Sequence, residues 1–204
     1  MHLKDLLQHL ADTRDFPIKI DDIRSWIINQ DIVAGIAFVP VEMETSVMRG
    51  LLRMWEGLPP PYGEPLLYAD ILYPKSADFG RERLACCKEM VHVLDSATQR
   101  SATGAEIDKL ASELTSLTSG DVNGFCEATL ADKRGLPLAL VTLVPIKAVN
   151  ELRQKRIDRA IDDLQIAELF GIPEFYVSYL FTPQFAALAS KCLGEDRVVA
   201  LGAG

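Results

Sequence analysis

The apolar period of this chain changes twice, and that change limits the folds open to it. Residues 3–11, "LKDLLQHLA", place Leu3, Leu6, Leu7 and Leu10 on one face of a short helix. "KIDDIRSWIINQ" follows, with Asp21 or Asp22 available to cap a helix carrying Ile23, Trp26 and Ile27. The period then shortens. "IVAGIAFVPV" at 32–41 is β-branched and short, and reads as a strand. Residues 46–57, "SVMRGLLRMWEG", read as a weaker strand, and "LLYADILY" at 66–73 as a third, stopped by Pro74. The proline-rich "LPPPYGEP" between the last two is a loop.

Helical spacing returns near residue 79. One helix is expected over 79–97 and another over 104–117. A third starts near Asp121, breaks at Gly135–Pro137, resumes through "LALVTLV" and ends at Pro145. A further helix spans about 147–170, "GIP" ends it, and Glu174–Phe181 forms a last helical segment. The tail "RVVALGAG" reads as loosely packed. Helices, a small sheet, then helices make an α+β layout. Nothing in the composition demands more than one domain over 1–204.

Of the 204 residues, 49% are apolar and 25% charged, enough for a sizeable core. The net charge of −8 argues against broad contact with phosphate backbones or anionic lipid. The longest apolar run, "GLPLALVTLVPI", has about a dozen residues and two prolines, where a membrane span takes about 20. The N-terminus lacks the long apolar stretch of a signal peptide. The expectation is a soluble, cytoplasmic protein. Cys86, Cys87, Cys126 and Cys192 match no zinc framework and read as small buried hydrophobes. Neither a Gly-rich phosphate loop nor a serine in a nucleophile elbow is present.

The helix over 79–97 holds the chain's most suggestive chemistry. Leu84, Cys87, Val91 and Leu94 form an apolar stripe, and Lys88, His92 and Asp95 lie on the stripe beside it. Residues one turn apart converge on a point about 6 Å across. That spacing underlies H-E-x-x-H, in which two imidazoles hold zinc and the Glu reaches the metal-bound water. Here the pentamer is K-E-M-V-H: Glu89 and His92 keep their places, and Lys88 takes the first. An ammonium has no lone pair for a metal. Deprotonating an ordinary lysine at pH 7 costs about 4.6 kcal/mol. His2 and His9, in the N-terminal helix, complete the histidines.

"LLYADILYPKSADFGRERLACCKEMVHVLD" resembles the ImmA/IrrE-like metallopeptidase domain: a strand, a basic and apolar helix start, then the motif helix. "PLALVTLVP" is similar to that family's small-residue helix ending in a proline, and "IAELFGIPEFYVSYL" to its closing segment. The likeness runs in order through most of 1–181. It implies a zincin-like fold, with a small mixed or antiparallel sheet, helices, and the motif on a central helix. A core over 1–145 and a helical annex over 146–204 follow from it. The first metal ligand falls on Lys88, the base on Glu89 and the second ligand on His92. The third ligand falls near Lys133 and Arg134, and the nearest acids are Asp132 and Glu127.

The resemblance therefore implies a metallopeptidase-like domain without catalytic zinc or another cofactor. It would be a binding or regulatory module for a protein or peptide, of the phage-associated or stress-regulation kind. Lys88 would occupy the metal's place and pair with Glu127 or Asp132. Glu89 is not expected as its partner, because neighbouring side chains on a helix point apart. Lys88, Glu89, His92, Glu127 and Asp132 would line the cleft. An active peptidase is the alternative, with zinc on His92 and Glu127 or Asp132, and Glu89 as base. A third reading is a transcriptional regulator using 153–180. The second helix of that unit offers Glu174, Phe175, Tyr176 and Ser178, which suit packing better than base reading. The basic run "RQKRIDR" at 153–159 reads as a solvated helix face.

Overall fold

A computed structural model describes residues 2–43, 50–58, 63–76, 78–95 and 127–194, except for the side chains of 127–131. The elements are α1 (His2–Leu10), α2 (Ile20–Asn29), β1 (Gly35–Val41), β2 (Leu51–Gly57), β3 (Leu66–Pro74), α3 (Phe79–Val93), α4 (Glu127–Leu143), α5 (Ile146–Ile157), α6 (Asp163–Phe170), a 3-10 turn (Glu174–Tyr176) leading into α7 (Val177–Leu180), and α8 (Pro183–Leu193). The fold is α+β. The helix expected over 104–117 and the tail from 197 lie outside the described residues. The chain divides into two compact units, one of 19–139 and one combining 1–18 with 140–204. The N-terminal helix is thus grouped with the C-terminal helices, where the sequence reading placed it with the 1–145 core.

In the 19–139 unit the sheet order is β1-β3-β2, with β3 parallel to β1 and antiparallel to β2. The sheet is therefore mixed. Alternation along β3 sends Ala69 and Ile71 into the core. On the opposite face Tyr68 stacks on Trp55, centroids 4.8 Å apart, and Asp70 pairs with Arg53. Helix α3 packs against β3 and β2, and α2 against α3 and β1. Ile23 and Ile27 of α2 are fully enclosed, each worth about 1.5–3 kcal/mol of burial. The expected cap of α2 is not formed. Lys19 is the N-cap residue and makes no side-chain cap bond, while Asp21 and Asp22 lie in the first turn, where they suit the helix dipole.

Helix α3 starts at a defined signal. The Asp78 carboxylate accepts from the Arg81 backbone N–H at 3.2 Å, and Glu82 accepts from the Ser76 N–H at 2.8 Å. The sequence suggested one apolar stripe, but every residue from Arg83 to Val91 is buried. A helix enclosed on all sides does not obey a one-face pattern. It ends at Val93, short of the expected 97, and Leu94 is its C-cap.

Helix α4 runs through Pro137 without the expected interruption. Proline removes one helical N–H donor and crowds the preceding turn, a cost of about 3 kcal/mol that packing must offset. In the second unit, the expected helix over 147–170 is two helices. Asp162 caps α6 by accepting from the Gln165 N–H, and Gln165 reciprocates to the Asp162 N–H, which fixes a new start. Gly171, at φ 61, ends α6. Helix α8, which the sequence reading omitted, is capped by Thr182 and closed by Gly194. It packs on α1, whose Leu6, Leu7 and Leu10 are buried, as are Phe185 and Ala189 of α8. Among the described residues no single helix is long and apolar enough to cross a membrane.

Candidate functional site

Lys88 and Glu89 lie mid-way along α3, where every residue from Arg83 to Val91 is buried. Their side chains are 8% and 4% exposed. A buried ammonium needs acceptors, and Lys88 has two. Its Nζ donates to Glu89 Oε1 at 3.0 Å and to Asp132 Oδ1 on α4. The Glu89 contact corrects the expectation that Glu89 would be a poor partner for Lys88. Four methylenes allow the ammonium to curl back over its neighbour.

Burial is the largest single influence on Lys88 and pulls its pKa down. The charges of Glu89 and Asp132, and their hydrogen bonds, more than reverse it, so the group is held above the ordinary lysine value of 10.5. Lys88 is a fixed cation at neutral pH. It has no lone pair for a metal and cannot serve as base or nucleophile.

His92 stands one turn on. Its Nδ1 lies 2.6 Å from Asp95 Oδ2, so Nδ1 carries the proton and donates. Its Nε2 is 3.9 Å from Asp132 Oδ1, and makes no hydrogen bond among the described residues. Asp132 thus faces Lys88 and His92 together. The sequence left Asp132 and Glu127 open, and Asp132 is the one seen at the cluster. Glu127 opens α4, and its side chain lies outside the described residues.

Two glycines not singled out from the sequence shape the site. A Cβ on Gly135 would fall 2.5 Å from His92 Nε2 and 3.0 Å from Lys88 Cγ. A Cβ on Gly50 would fall 2.7 Å from Glu89 Oε1 and 2.9 Å from Glu89 Cγ. Both backbones press directly on the charged side chains. A Gly inside a helical pattern is a known sign of close approach, and "RGLP" carried it.

The side chains present do not fit a zinc ion. Lys88 stands where an H-E-x-x-H pentamer has its first histidine, and its ammonium engages the Glu89 and Asp132 carboxylates. Among the described residues no three His, Cys, Asp or Glu side chains are grouped to hold a metal. Glu89 gives its Oε1 to Lys88. The thiols are also chemically quiet: burial pushes Cys86 up to about 12, helped by Glu82 and Glu89, and burial likewise raises Cys87. Cys87 donates to the Ala139 carbonyl at 3.7 Å.

In the other unit, the run 153–159 is not simply solvated. Arg153 and Arg156 fold over the Phe181 ring. In the segment suggested for base reading, α7 is four residues long and buries Val177 and Leu180, while Phe175 is 84% exposed. Compared with known proteins, the chain matches no family model, no curated protein and no solved structure.

Proposed function

We propose that residues 19–139 form a zincin-like, ImmA/IrrE-like domain in which a lysine ammonium has replaced the catalytic metal. The protein acts as a cytoplasmic binding or regulatory module for a protein or peptide, not as a peptidase. One observation carries this reading. Lys88, in the first-ligand position of K-E-x-x-H, is buried and bonded to both Glu89 and Asp132, with His92 beside the same carboxylate. A single positive charge satisfies the carboxylates that a dication would otherwise bridge. The net charge of −8 is in keeping with a partner other than nucleic acid.

The test is to rebuild the motif. Lys88→His restores H-E-x-x-H on α3 and leaves Asp132 as a third donor. The wild-type protein, purified without chelator, should hold no stoichiometric zinc. Lys88→His should take zinc up, and His92→Ala in that background should abolish the uptake. Stoichiometric zinc in the wild type, lost on His92→Ala alone, would favour the active peptidase with Glu89 as base. A folded Lys88→His protein that takes up no zinc would overturn the zincin-like geometry itself.

A further inference from the structure

The basic run of α5 builds a second site, in the unit of 1–18 and 140–204, independent of the Lys88 cluster. An open groove of about 570 Å³ is lined by Arg153, Arg156, Arg159, Ile157 and Phe181, and also by Asp162 and Asp163. The guanidinium carbons of Arg153 and Arg156 lie 5.7 and 4.7 Å from the centroid of Phe181. Holding two like charges on one ring is unfavourable unless each is answered.

Arg156 is answered. It pairs with Asp163 through two bonds, Nε to Oδ1 at 2.6 Å and Nη2 to Oδ2 at 2.9 Å. The Asp162 carboxylate is engaged at the start of α6. Arg153 has a neutral acceptor, the Phe181 carbonyl, at 3.2 Å. Arg159 is exposed, and its side chain has no hydrogen bond or ion pair among the described residues. Its backbone is at φ 57, a left-handed conformation that disfavours any residue with a Cβ. Ile157 is 68% exposed beside it.

We infer that this groove binds a small organic phosphate monoester. The dianion bridges Arg153 and Arg159, two guanidiniums whose forks suit phosphate oxygens. Arg156, locked by Asp163, sets the floor, and the carrier group lies against Phe181 and Ile157. The volume is that of a small-molecule site. The net charge of −8 disfavours a long polyanion.

The test is calorimetric titration of the whole chain with phenyl phosphate, beside inorganic phosphate, phenol and a short DNA duplex. Phenyl phosphate should bind saturably and more tightly than either fragment. Arg159→Gly removes the guanidinium at a position where glycine adopts the same φ without strain, so the fold is kept. It should weaken phenyl phosphate at least about tenfold, and Arg153→Gln should do the same. Equal affinity for inorganic phosphate would overturn the role of the apolar wall. A folded Arg159→Gly protein with unchanged affinity would overturn the site. Tighter, salt-sensitive binding of the duplex would overturn it in favour of nucleic acid.

Discussion

Lys88 and the arginines around Phe181 are both basic groups in an acidic protein, and they are treated in opposite ways. Lys88 is enclosed, 8% exposed, and flanked by two carboxylates. Near Phe181 one guanidinium has its carboxylate, and Arg153 and Arg159 have none among the described residues. Burial supplies the reason. An enclosed charge must be neutralised within the protein, so its partners are chosen by folding. A charge at the rim of a groove is solvated in the free protein and remains available to a ligand. The first arrangement is built for permanence, the second for reception.

The largest effect that would sharpen this contrast is at Lys88. Lys88→Met leaves Glu89 and Asp132 facing each other without a cation, and should destabilise the protein by about 3–5 kcal/mol in denaturant unfolding. A loss below about 1 kcal/mol would place Lys88 with ordinary surface pairs and break the comparison. The alkaline limb carries the same information. The folded pKa of Lys88 is raised, so its contribution is fully present below the unfolded value of 10.5 and is lost as pH rises through the folded value. Wild-type stability should fall in that window more steeply than that of Lys88→Met.

Gly135→Ala comes next. Its new methyl would meet His92 Nε2 and force α4 from α3, at a cost of about 1–3 kcal/mol by thermal or chemical unfolding. Asp162→Ala removes the cap that separates α5 from α6, and should cost about 1 kcal/mol. The smallest effect is at the receptive site. Arg159→Gly loses no partner and relieves the left-handed conformation, so stability should rise by less than about 1 kcal/mol. A clear loss there would mean that Arg159 is structural after all.

Much of the fold was legible because strands and helices differ in apolar period. The run at 32–41 became β1 from Gly35, and "LLYADILY" became β3 with one further residue. Boundaries were lost where tertiary packing overrode local rules. Pro137 reads as a break, yet the helix continues through it. The separation of α5 from α6 was available in "DDLQ", a capping box, and so was α8 in "TPQF", a cap followed by proline. The periodic reading passed over both.

At the site, the spacing of Lys88, Glu89 and His92 on one helix was legible from the pentamer. Asp132 was named only as one of two acids, since a helix of unknown register cannot rank positions five apart. The Lys88–Glu89 bond was not legible, because it depends on a side chain bending inside a closed space. The pressure of Gly135 and Gly50 on the cluster likewise exists only once separate elements have packed.

The most direct measurement follows the Lys88 ammonium itself. Nitrogen-15 lysine labelling and heteronuclear NMR across alkaline pH, with Lys88→Arg to assign the signal, would report its titration. The Lys88 ammonium is expected to keep its proton above 10.5. Titration below that value, as burial alone would give, would mean that Glu89 and Asp132 do not hold it. The charge-for-metal reading would then fail.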